Sequence, residues 1–350
     1  MNVKQILLKH FAIYPKMQVI DAVKLLYQSE FGGGHMITNP EQSLNRLKQE
    51  WKQRQKSSEK TIVEEIGNGI SRIDLAALDE GLAPETFNQM FINTAEHTVG
   101  TIENFEKKLA VLRELCTSGE LPFHVEELDC YLNEYKAAGY PPVSHSEIYR
   151  ECYHPSYRII SVMYARYLHV FQKIDRTLEE AGEKQVIIGI DGMCGSGKST
   201  LGRILAEMYD CNVFYMDDFF LRPEQRTEER FAEPGGNVDY ERFKEEIFDH
   251  LADVNGLSYQ VYNCGIQALD GVVNVPYKKL NIIEGSYSHH PYFGNPYDLK
   301  FVCKISKEEQ LDRILKRNGP EMLERFKSVW IPMENRYFDA FEIEENGIIV

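Results

Sequence analysis

The sequence has no excess of positive charge, no paired cysteines and no long apolar segment. Its 350 residues include 39 Lys and Arg against 54 Asp and Glu, which gives a formal net charge of −15 at pH 7. The basic residues do not cluster in either half of the chain. Because binding to nucleic acid or to an anionic membrane surface requires clustered positive charge, we expect neither as a partner.

Seven cysteines are scattered along the chain, and none forms a CxxC pair. This arrangement disfavours a zinc site or a disulfide framework and is typical of free thiols in a reducing compartment. The N-terminal segment lacks the sustained apolar core of a signal peptide, and no apolar run approaches membrane-spanning length. We therefore expect a cytoplasmic protein, and the sequence leaves its oligomeric state open.

The composition, 43% hydrophobic and 27% charged, is that of a globular chain long enough for two domains. In residues 1–180 the apolar residues recur at helical spacing, so we predict an all-α N-terminal domain. Its last predicted element is one long helix over 155–180. The polar stretch "AGEK" at 181–184 then predicts a domain boundary.

After this break the pattern changes to short apolar strands that alternate with helices. We predict strands at 185–190, 212–216, 280–285, 299–305 and 347–350. The predicted helices include one over 239–254 and one that ends at Gly319. This alternation favours an α/β domain over 185–350, with a parallel sheet covered by helices on both faces.

A phosphate-binding loop is predicted by "IDGMCGSGKST", residues 190–200. Gly192, four residues and then Gly197-Lys198-Ser199 have the spacing of a loop whose backbone N–H groups surround phosphate oxygens. In such a loop Lys198 reaches the β- and γ-phosphates and the Ser199 hydroxyl binds Mg²⁺. The alternative, a glycine-rich turn without a ligand, is disfavoured by the strand before it and the helix after it. The residues expected to bind the nucleotide are Gly192, Cys194, Gly195, Ser196, Gly197, Lys198, Ser199 and Thr200.

Two carboxylates follow the next predicted strand, in "FYMDDFFLRPEQR" at 214–226. Ligands of open parallel sheets bind at the carboxyl ends of strands, so Asp217 and Asp218 are expected to face the γ-phosphate. A carboxylate there can accept the proton of an attacking hydroxyl. Alternation along a strand lets only one of the two point at the phosphate. The alternatives are that they cap the next helix or that one only binds magnesium.

"GIDGMCGSGKST" followed by "MDDFF" resembles the uridine kinase and phosphoribulokinase group of P-loop kinases, which includes nicotinamide riboside kinase. The resemblance covers roughly 186–340 and does not extend to the N-terminal half. It implies a P-loop kinase domain that uses ATP and Mg²⁺ and acts on a small-molecule acceptor. It also implies that Asp217 is the catalytic base, and we expect Asp218 to lie on the acceptor side.

The same resemblance assigns two further residues to the acceptor. In "PGGNVDYERF" it implies that Asp239 holds ribose hydroxyls, although capping of the following helix would explain this residue equally well. In "LSYQVYNCGIQALDG" it implies that Tyr262 faces the acceptor. Gln267 and Leu269 stand where uridine kinases have a His and an Arg that contact the pyrimidine, which puts pyrimidine specificity in doubt.

The strand in "LNIIEGSYSHH" ends in Glu284, which resembles the acidic residue that holds magnesium in this group. We expect Glu284 and Ser199 to bind Mg²⁺. The alternative is a carboxylate that caps a helix or faces solvent, and an unpaired Glu at the end of a buried strand would be costly. His289 and His290 are expected on a surface loop, since no acidic or cysteine partner stands at metal-ligand spacing.

Arginines bracket a Gly-Pro turn in "LDRILKRNGPEMLERF" at 311–326, and this segment resembles the mobile lid of the same kinases. Guanidinium groups suit the binding of a transferring phosphoryl group, so we expect at least one of Arg313, Arg317 and Arg325 to be catalytic. Our choice among them is Arg317. The alternative is a solvated helix face in which Arg313 pairs with Glu309.

Two segments of the N-terminal half also contain candidate site residues. "EFGGGHM" at 30–36 predicts a helix C-cap packed on the core, or else a backbone nest for an anion with His35 as a site residue. "SHSEIYRECYHPSYR" at 144–158 combines Tyr, His and Arg, which could bind an anionic ligand. We prefer an interface for the second domain, because Tyr and Arg are enriched at interfaces.

The sequence thus leaves two functions open. The first is a small-molecule kinase that transfers the γ-phosphoryl of ATP to a hydroxyl of a nucleoside-like or other polyhydroxylated substrate. The second is a regulatory P-loop ATPase whose helical half binds a partner. A base that faces an acceptor pocket, together with a lid, favours the kinase.

Overall fold

The computed structural model describes residues 1–56 and 61–350. These residues form two compact units, Met1–Arg176 and Thr177–Val350. The predicted domains, 1–180 and 185–350, differ from these units by a few residues at the boundary. Among the described residues, no helix combines the length and the apolarity that crossing a membrane requires.

The N-terminal unit is mainly helical. Its helices begin where side chains or proline suit a helix start: Asn39 caps the helix that opens with Pro40, and Thr101 caps the helix that starts at Ile102. The helices of this part of the chain are α1 (Val3–Ile13), α2 (Val19–Phe31), α3 (Pro40–Gln53), α4 (Pro84–His97), α5 (Ile102–Thr117), α6 (Val125–Ala137), α7 (Glu147–Tyr153), α8 (Val162–Arg166) and α9 (Leu168–Ala181).

This unit also contains a three-stranded antiparallel sheet, so its description as all-α is corrected to mainly helical. The strands are β1 (Val63–Gly67), β2 (Ile70–Asp74) and β3 (Tyr157–Ser161), in the order β1-β2-β3. Asn68 and Gly69 both have positive φ, as a two-residue hairpin turn requires. An Asn-Gly pair between apolar residues is a strong hairpin signal, and it was overlooked in the sequence.

The single helix predicted over 155–180 is wrong. Residues 157–161 form β3, and the helices α8 and α9 follow it. Ile159 and Ile160 are fully buried and pair with β2, which places two neighbouring β-branched side chains in the sheet. Pairing with a distant strand therefore outweighs the helical pattern of the local sequence.

The C-terminal unit is built on a five-stranded parallel sheet, which confirms the predicted α/β fold. The strands lie in the order β10-β9-β4-β8-β5, and every pair is parallel. All five predicted strands are present, as β4 (Val186–Gly192), β5 (Cys211–Tyr215), β8 (Leu280–Glu284), β9 (Leu299–Cys303) and β10 (Ile348–Ile349). The helix α10 (Lys198–Met208) packs on β4, β5 and β8.

A hairpin and several short helices stand outside this sheet. The hairpin consists of β6 (Leu257–Asn263) and β7 (Ala268–Val275), which the sequence analysis did not predict. The helix predicted over 239–254 is shorter than expected: it comprises α12 (Tyr240–Phe243) and one π turn that ends at Phe248. A further short helix, α11 (Glu228–Ala232), precedes it.

The last helices are α13 (Lys307–Arg325) and α14 (Ile331–Ala340), which are joined by one π turn. The α13 helix is broken at Gly319, where φ is 81° and Pro320 follows. The helix that we predicted to end at Gly319 thus ends there, and a second segment starts at the proline.

Candidate active site

The predicted phosphate loop joins β4 to α10 at the carboxyl end of the sheet. Gly192 ends the strand with φ of 150°, and Gly197 precedes the helix with φ of 107°. A Cβ atom at Gly192 would lie 2.5 Å from the carbonyl oxygen of Cys303 on the neighbouring strand. Glycine is therefore required at these positions by backbone conformation and by close approach.

Lys198 lies at the first turn of α10 and is mostly buried. Its ammonium group donates to the carbonyl oxygens of Gly192 at 2.7 Å and Met193 at 3.0 Å. The side chain thus folds back over the loop and places its positive charge beside the loop, at the N-terminus of a helix. Both features favour an anion at this point.

The two residues predicted to bind Mg²⁺ contact each other. Ser199 Oγ donates to Glu284 Oε1 at 3.1 Å, because β8 lies next to β4 and ends at the same edge of the sheet. Burial raises the pKa of Glu284 to about 7, the charge of Asp217 adds to this effect, and Lys198 opposes it. Ionised Glu284 is costly here unless a cation lies nearby.

This shift predicts how stability depends on pH. Between its ordinary pKa and about 7, folded Glu284 holds a proton that the unfolded chain releases. The free energy of unfolding therefore falls as pH rises through this window, by up to about 3 kcal/mol. We expect Glu284→Gln to remove this loss, so the variant gains stability relative to the native protein between pH 5 and pH 8.

Thermal unfolding of both proteins without divalent cations measures this difference, and Glu245→Gln on the surface is the matched control. If Glu284→Gln and the native protein differ in stability by the same amount at pH 5 and at pH 8, the raised pKa of Glu284 is contradicted.

Asp217 and Asp218 follow β5, which ends at Tyr215, as predicted, but they lie in a 3₁₀ turn over residues 216–219. Strand alternation therefore does not separate their roles, but their surroundings do. Asp217 is exposed and close enough to Glu284 to raise its pKa. Asp218 is half-buried and accepts the hydroxyl of Tyr259 at 3.2 Å. Burial raises the pKa of Asp218, and the charge of Asp217 adds to it.

The other residues predicted to face the acceptor are buried and have protein partners. Asp239 accepts the backbone N–H of Arg242 at 3.1 Å and the amide of Gln225 at 2.8 Å, so it caps α12. The Tyr262 hydroxyl lies 2.6 Å from a guanidinium nitrogen of Arg226. The capping interpretation of Asp239 is thus confirmed, while contact of either residue with an acceptor stays a prediction.

Of the three predicted lid arginines, Arg313 contacts the phosphate loop. Its Nη1 donates to the carbonyl oxygen of Gly195 at 2.9 Å, and its other terminal nitrogen pairs with Glu309. Arg317 is exposed and bonds to the adjacent Asn318 side chain, while the Arg325 guanidinium lies 5.0 Å from the centre of the Trp330 ring. Arg313 therefore contacts the loop, whereas Arg317 and Arg325 contact residues that are close to them in the sequence.

These contacts predict different kinetic effects for two arginines. Arg313→Ala removes a guanidinium that holds the loop, so we expect the KM for ATP to rise roughly tenfold with little change in kcat. Arg317→Ala tests the sequence-based choice of the catalytic arginine, and we expect it to lower kcat with little change in the KM for ATP. Steady-state kinetics with varied ATP distinguish the two, and an unchanged KM in Arg313→Ala would contradict the positioning role.

Glu334 is a site residue that sequence reasoning missed. It lies on α14, is 4% exposed, and its carboxylate accepts the loop N–H of Cys194 at 2.9 Å and the Ser286 hydroxyl at 3.0 Å. Burial raises its pKa, and the charge of Lys198 opposes this. A buried carboxylate thus occupies a backbone donor of the phosphate loop. Nothing in the local sequence of α14 indicates this contact.

Asp191, just before the loop, is a second missed residue. Its fully buried carboxylate accepts the Tyr337 hydroxyl at 2.7 Å and the backbone N–H of His289 at 2.9 Å. His289 and His290 are buried, so their predicted place on a surface loop is wrong. His290 stacks on Tyr240 with ring centres 4.3 Å apart, and burial lowers the pKa of both histidines. The loop after β8 is therefore part of the core.

Comparisons with known proteins found similarity only among solved structures. No family model matches the chain, and no curated protein matches it significantly. A possible uridine kinase from Bacillus stearothermophilus aligns at 18% identity and a TM-score of 0.38, over 52% of this chain and 98% of its own. A candidate fructose transport system kinase from Silicibacter sp. TM1040 aligns at 20% identity and a TM-score of 0.41, over 49% and 93%. TT1252 from Thermus thermophilus aligns at 19% identity and a TM-score of 0.22, over 46% and 98%.

Proposed function

We propose that this chain is an ATP-dependent small-molecule kinase, a phosphotransferase with an alcohol group as acceptor. It transfers the γ-phosphoryl of ATP to a hydroxyl of a nucleoside-like or other polyhydroxylated substrate. The observation that supports this most directly is that three groups of residues lie together at one edge of the parallel sheet. These are a phosphate loop with Lys198, the Ser199–Glu284 pair and the exposed carboxylate of Asp217.

The residues present fit a magnesium ion that also binds nucleotide phosphates. Ser199 and Glu284 offer a hydroxyl and a carboxylate oxygen 3.1 Å apart, and Mg²⁺ takes few protein ligands while it keeps several waters. Among the described residues no group of three or more His, Cys, Asp or Glu forms a cage for a metal, which suits an ion that arrives with its nucleotide. When bound, magnesium neutralises phosphate charge. A cation beside Glu284 would also offset the cost of ionising this buried carboxylate.

In this proposal Asp217 takes the acceptor's proton. As the acceptor oxygen forms its bond to the γ-phosphorus, the bond from this phosphorus to the β,γ-bridging oxygen breaks and ADP leaves. The hydroxyl proton passes to the Asp217 carboxylate, which is exposed and near Glu284. Lys198 and an arginine hold the phosphoryl charge, and most of the rate enhancement comes from positioning.

We assign the acceptor to the region formed by the 3₁₀ turn at 216–219, the β6–β7 hairpin and the start of α12. Asp218 accepts the Tyr259 hydroxyl of β6, and its backbone oxygen accepts Arg242 Nη2 at 2.9 Å. Tyr262 lies on the same strand and Asp239 starts α12. In this proposal these side chains set the position of the acceptor, whereas a regulatory ATPase would need a group that orients water.

A panel of acceptors tests this proposal. ATP consumption is measured with Mg²⁺ and with each of several nucleosides, nicotinamide riboside and pantothenate. We expect one class of acceptor to raise the rate of ADP formation at least about a hundredfold over the rate with water. This factor is the lower end of the rate enhancement that a positioned general base provides. A rate that no candidate changes would favour the regulatory ATPase instead.

Within that panel we expect uridine and cytidine to be poor acceptors. Gln267 is exposed at the tip of the hairpin and Leu269 is apolar, so neither provides the His and Arg contacts to a pyrimidine. Initial rates over a range of uridine concentrations give kcat/KM. A value near 10⁵ M⁻¹s⁻¹, about that of an ordinary efficient enzyme, would contradict this expectation.

A further inference from the structure

The phosphate loop contacts a carboxylate that belongs to the chain itself. Glu334 of α14 is 4% exposed, and both oxygens of its carboxylate face the backbone N–H of Cys194, at 3.1 Å and 2.9 Å. The first of these oxygens, Oε1, also accepts the Ser286 hydroxyl at 3.0 Å. Hydrogen bonds to an ionised carboxylate are stronger than those between neutral groups, so this contact competes well with other acceptors for the loop.

Lys198 adds an electrostatic attraction to these hydrogen bonds. Burial raises the pKa of Glu334, and the positive charge of Lys198 opposes this, so the ammonium group acts on the carboxylate. That ammonium group lies at the carbonyl oxygens of Gly192 and Met193, the two residues just before Cys194. A backbone N–H and a lysine are the donors that such a loop offers to phosphate. Glu334 therefore uses groups that a nucleotide needs as well.

The position of Glu334 is fixed by the packing of α14. One turn later on this helix, Tyr337 is fully buried and its hydroxyl donates to Asp191 at 2.7 Å. The carboxylate of Asp191 also accepts the backbone N–H of Gly192, the first residue of the loop, at 2.7 Å. The helix is thus attached to the loop at two points, at its start through Asp191 and within it through Cys194. Glu334 is part of a buried helical turn and not a mobile surface side chain.

The helix α13 holds the same loop in a different way, through its carbonyl groups. Gln310 is buried, and its Nε2 donates to the carbonyl oxygen of Cys194 at 3.0 Å, while Arg313 donates to that of Gly195. Carbonyl and phosphate oxygens are both acceptors, so these contacts can persist beside a bound nucleotide. The contact of Glu334 cannot, because the N–H of Cys194 has one hydrogen and two anions at one donor repel each other.

The phosphate that meets Glu334 is the terminal one. In a loop of this spacing the backbone N–H groups surround the α- and β-phosphates, and the lysine reaches the β- and γ-phosphates. The ammonium group of Lys198 lies at the start of the loop, next to Cys194. Glu334 therefore stands at the end of the site where a γ-phosphate lies, and a nucleoside diphosphate ends before this point.

We propose that Glu334 is an internal competitor for the γ-phosphate: ATP has to displace its carboxylate from the N–H of Cys194, whereas ADP leaves the carboxylate in place. This inference rests on the proposed function, because it takes the loop as a nucleotide site. Displacement opposes the binding of ATP, so the native protein favours ATP over ADP less than the loop alone would. It also couples the position of α14 to the γ-phosphate, since only a ligand that distinguishes two states can shift their populations.

The test measures nucleotide binding rather than turnover. ADP and a non-hydrolysable ATP analogue with a β,γ-methylene bridge are titrated separately into the full chain by calorimetry, with Mg²⁺ present. The titrations are repeated on Glu334→Gln, which removes the charge and keeps the size, and on Ser286→Ala, which removes one partner of the carboxylate. Glu30→Gln is the matched control, because Glu30 is also buried, accepts the backbone N–H of Thr101 and pairs with Lys108. Thermal unfolding of each variant verifies that it is folded.

We expect Glu334→Gln to bind the ATP analogue about tenfold tighter than the native protein does, the range of one hydrogen bond to a charged group, and to bind ADP within about threefold of the native affinity. Ser286→Ala should tighten binding of the ATP analogue by a smaller factor. Glu30→Gln should change the affinity for either nucleotide less than about twofold. If Glu334→Gln does not fold, Ser286→Ala decides between the same outcomes.

Unchanged or weaker binding of the ATP analogue by Glu334→Gln would overturn the inference and make Glu334 a residue that only holds the loop in shape. Equal tightening of ADP and the ATP analogue would also overturn it, because the competition would then not concern the γ-phosphate. Both results leave the proposed kinase standing. Binding of neither nucleotide by the native protein or by any variant would overturn the nucleotide site, and the proposed function with it.

Discussion

Lys198→Ala is expected to abolish phosphoryl transfer while the protein stays folded. The ammonium group of Lys198 contacts two loop carbonyls, so its contribution is positive charge beside the phosphates rather than packing of the core. Without that charge the transferring phosphoryl group loses a stabilising partner at the point where negative charge accumulates. We expect turnover to fall by at least two orders of magnitude, or about 3 kcal/mol of barrier.

The measurement is the rate of acceptor phosphorylation at saturating ATP, with circular dichroism to confirm the fold. Lys300→Ala, a lysine of β9 in the same unit, is the matched control. Retention of more than about a tenth of native turnover by Lys198→Ala would count against the account, because that loss corresponds to only ~1.4 kcal/mol.

Asp217→Asn should be the second large loss, with kcat reduced roughly 10²–10⁴-fold, the usual contribution of a general base. Asparagine keeps the size and the hydrogen-bonding reach of the side chain but cannot accept the proton of the acceptor. Affinity for ATP should change little, because the loop and Lys198 hold the phosphates. Asp217 is exposed, so the substitution should not disrupt the fold.

Asp218→Asn is the natural comparison, since the two carboxylates are adjacent and differ in surroundings. Asp218 is half-buried, and its carboxylate accepts the Tyr259 hydroxyl of the hairpin. We expect this variant to raise the KM for the acceptor or to lower stability, with a smaller effect on kcat. If Asp218→Asn loses turnover while Asp217→Asn stays active, the assignment of the base is wrong.

Local patterns were sufficient to predict the glycine-rich turn between β4 and α10 and the strands around it. The spacing of Gly192, Lys198 and Ser199 is fixed by the backbone geometry of a single turn, so a few neighbouring residues encode it. The five strands of the parallel sheet appear as short apolar runs, and the interior strands β4 and β8 are buried along almost their whole length. Of the antiparallel strands in the N-terminal unit, β3 was missed because it pairs with β2 across more than eighty residues of chain, which a local window does not detect. The β1–β2 hairpin has a local signal in Asn68 and Gly69, and that signal was overlooked.

Contacts between distant segments account for the parts of the site that the sequence did not predict. Glu334 reaches the N–H of Cys194 only because α14 folds back onto the loop, and its position in the sequence is that of an ordinary helical glutamate. Arg313 was predicted as a lid residue, but its carbonyl contacts depend on the way α13 passes the loop. His289 and His290 were placed at the surface because nothing local indicates that the loop after β8 packs on aromatic side chains.

The central claim is that the phosphoryl group passes to an alcohol and not to water. With an active acceptor and Mg²⁺-ATP, the amounts of ADP, inorganic phosphate and phosphorylated acceptor are measured in the same reaction. The account predicts one phosphorylated acceptor for each ADP, with almost no inorganic phosphate. In Lys198→Ala it predicts that neither ADP nor phosphorylated acceptor forms. ADP matched by inorganic phosphate, with no phosphorylated acceptor from any polyhydroxylated compound tested, would contradict it.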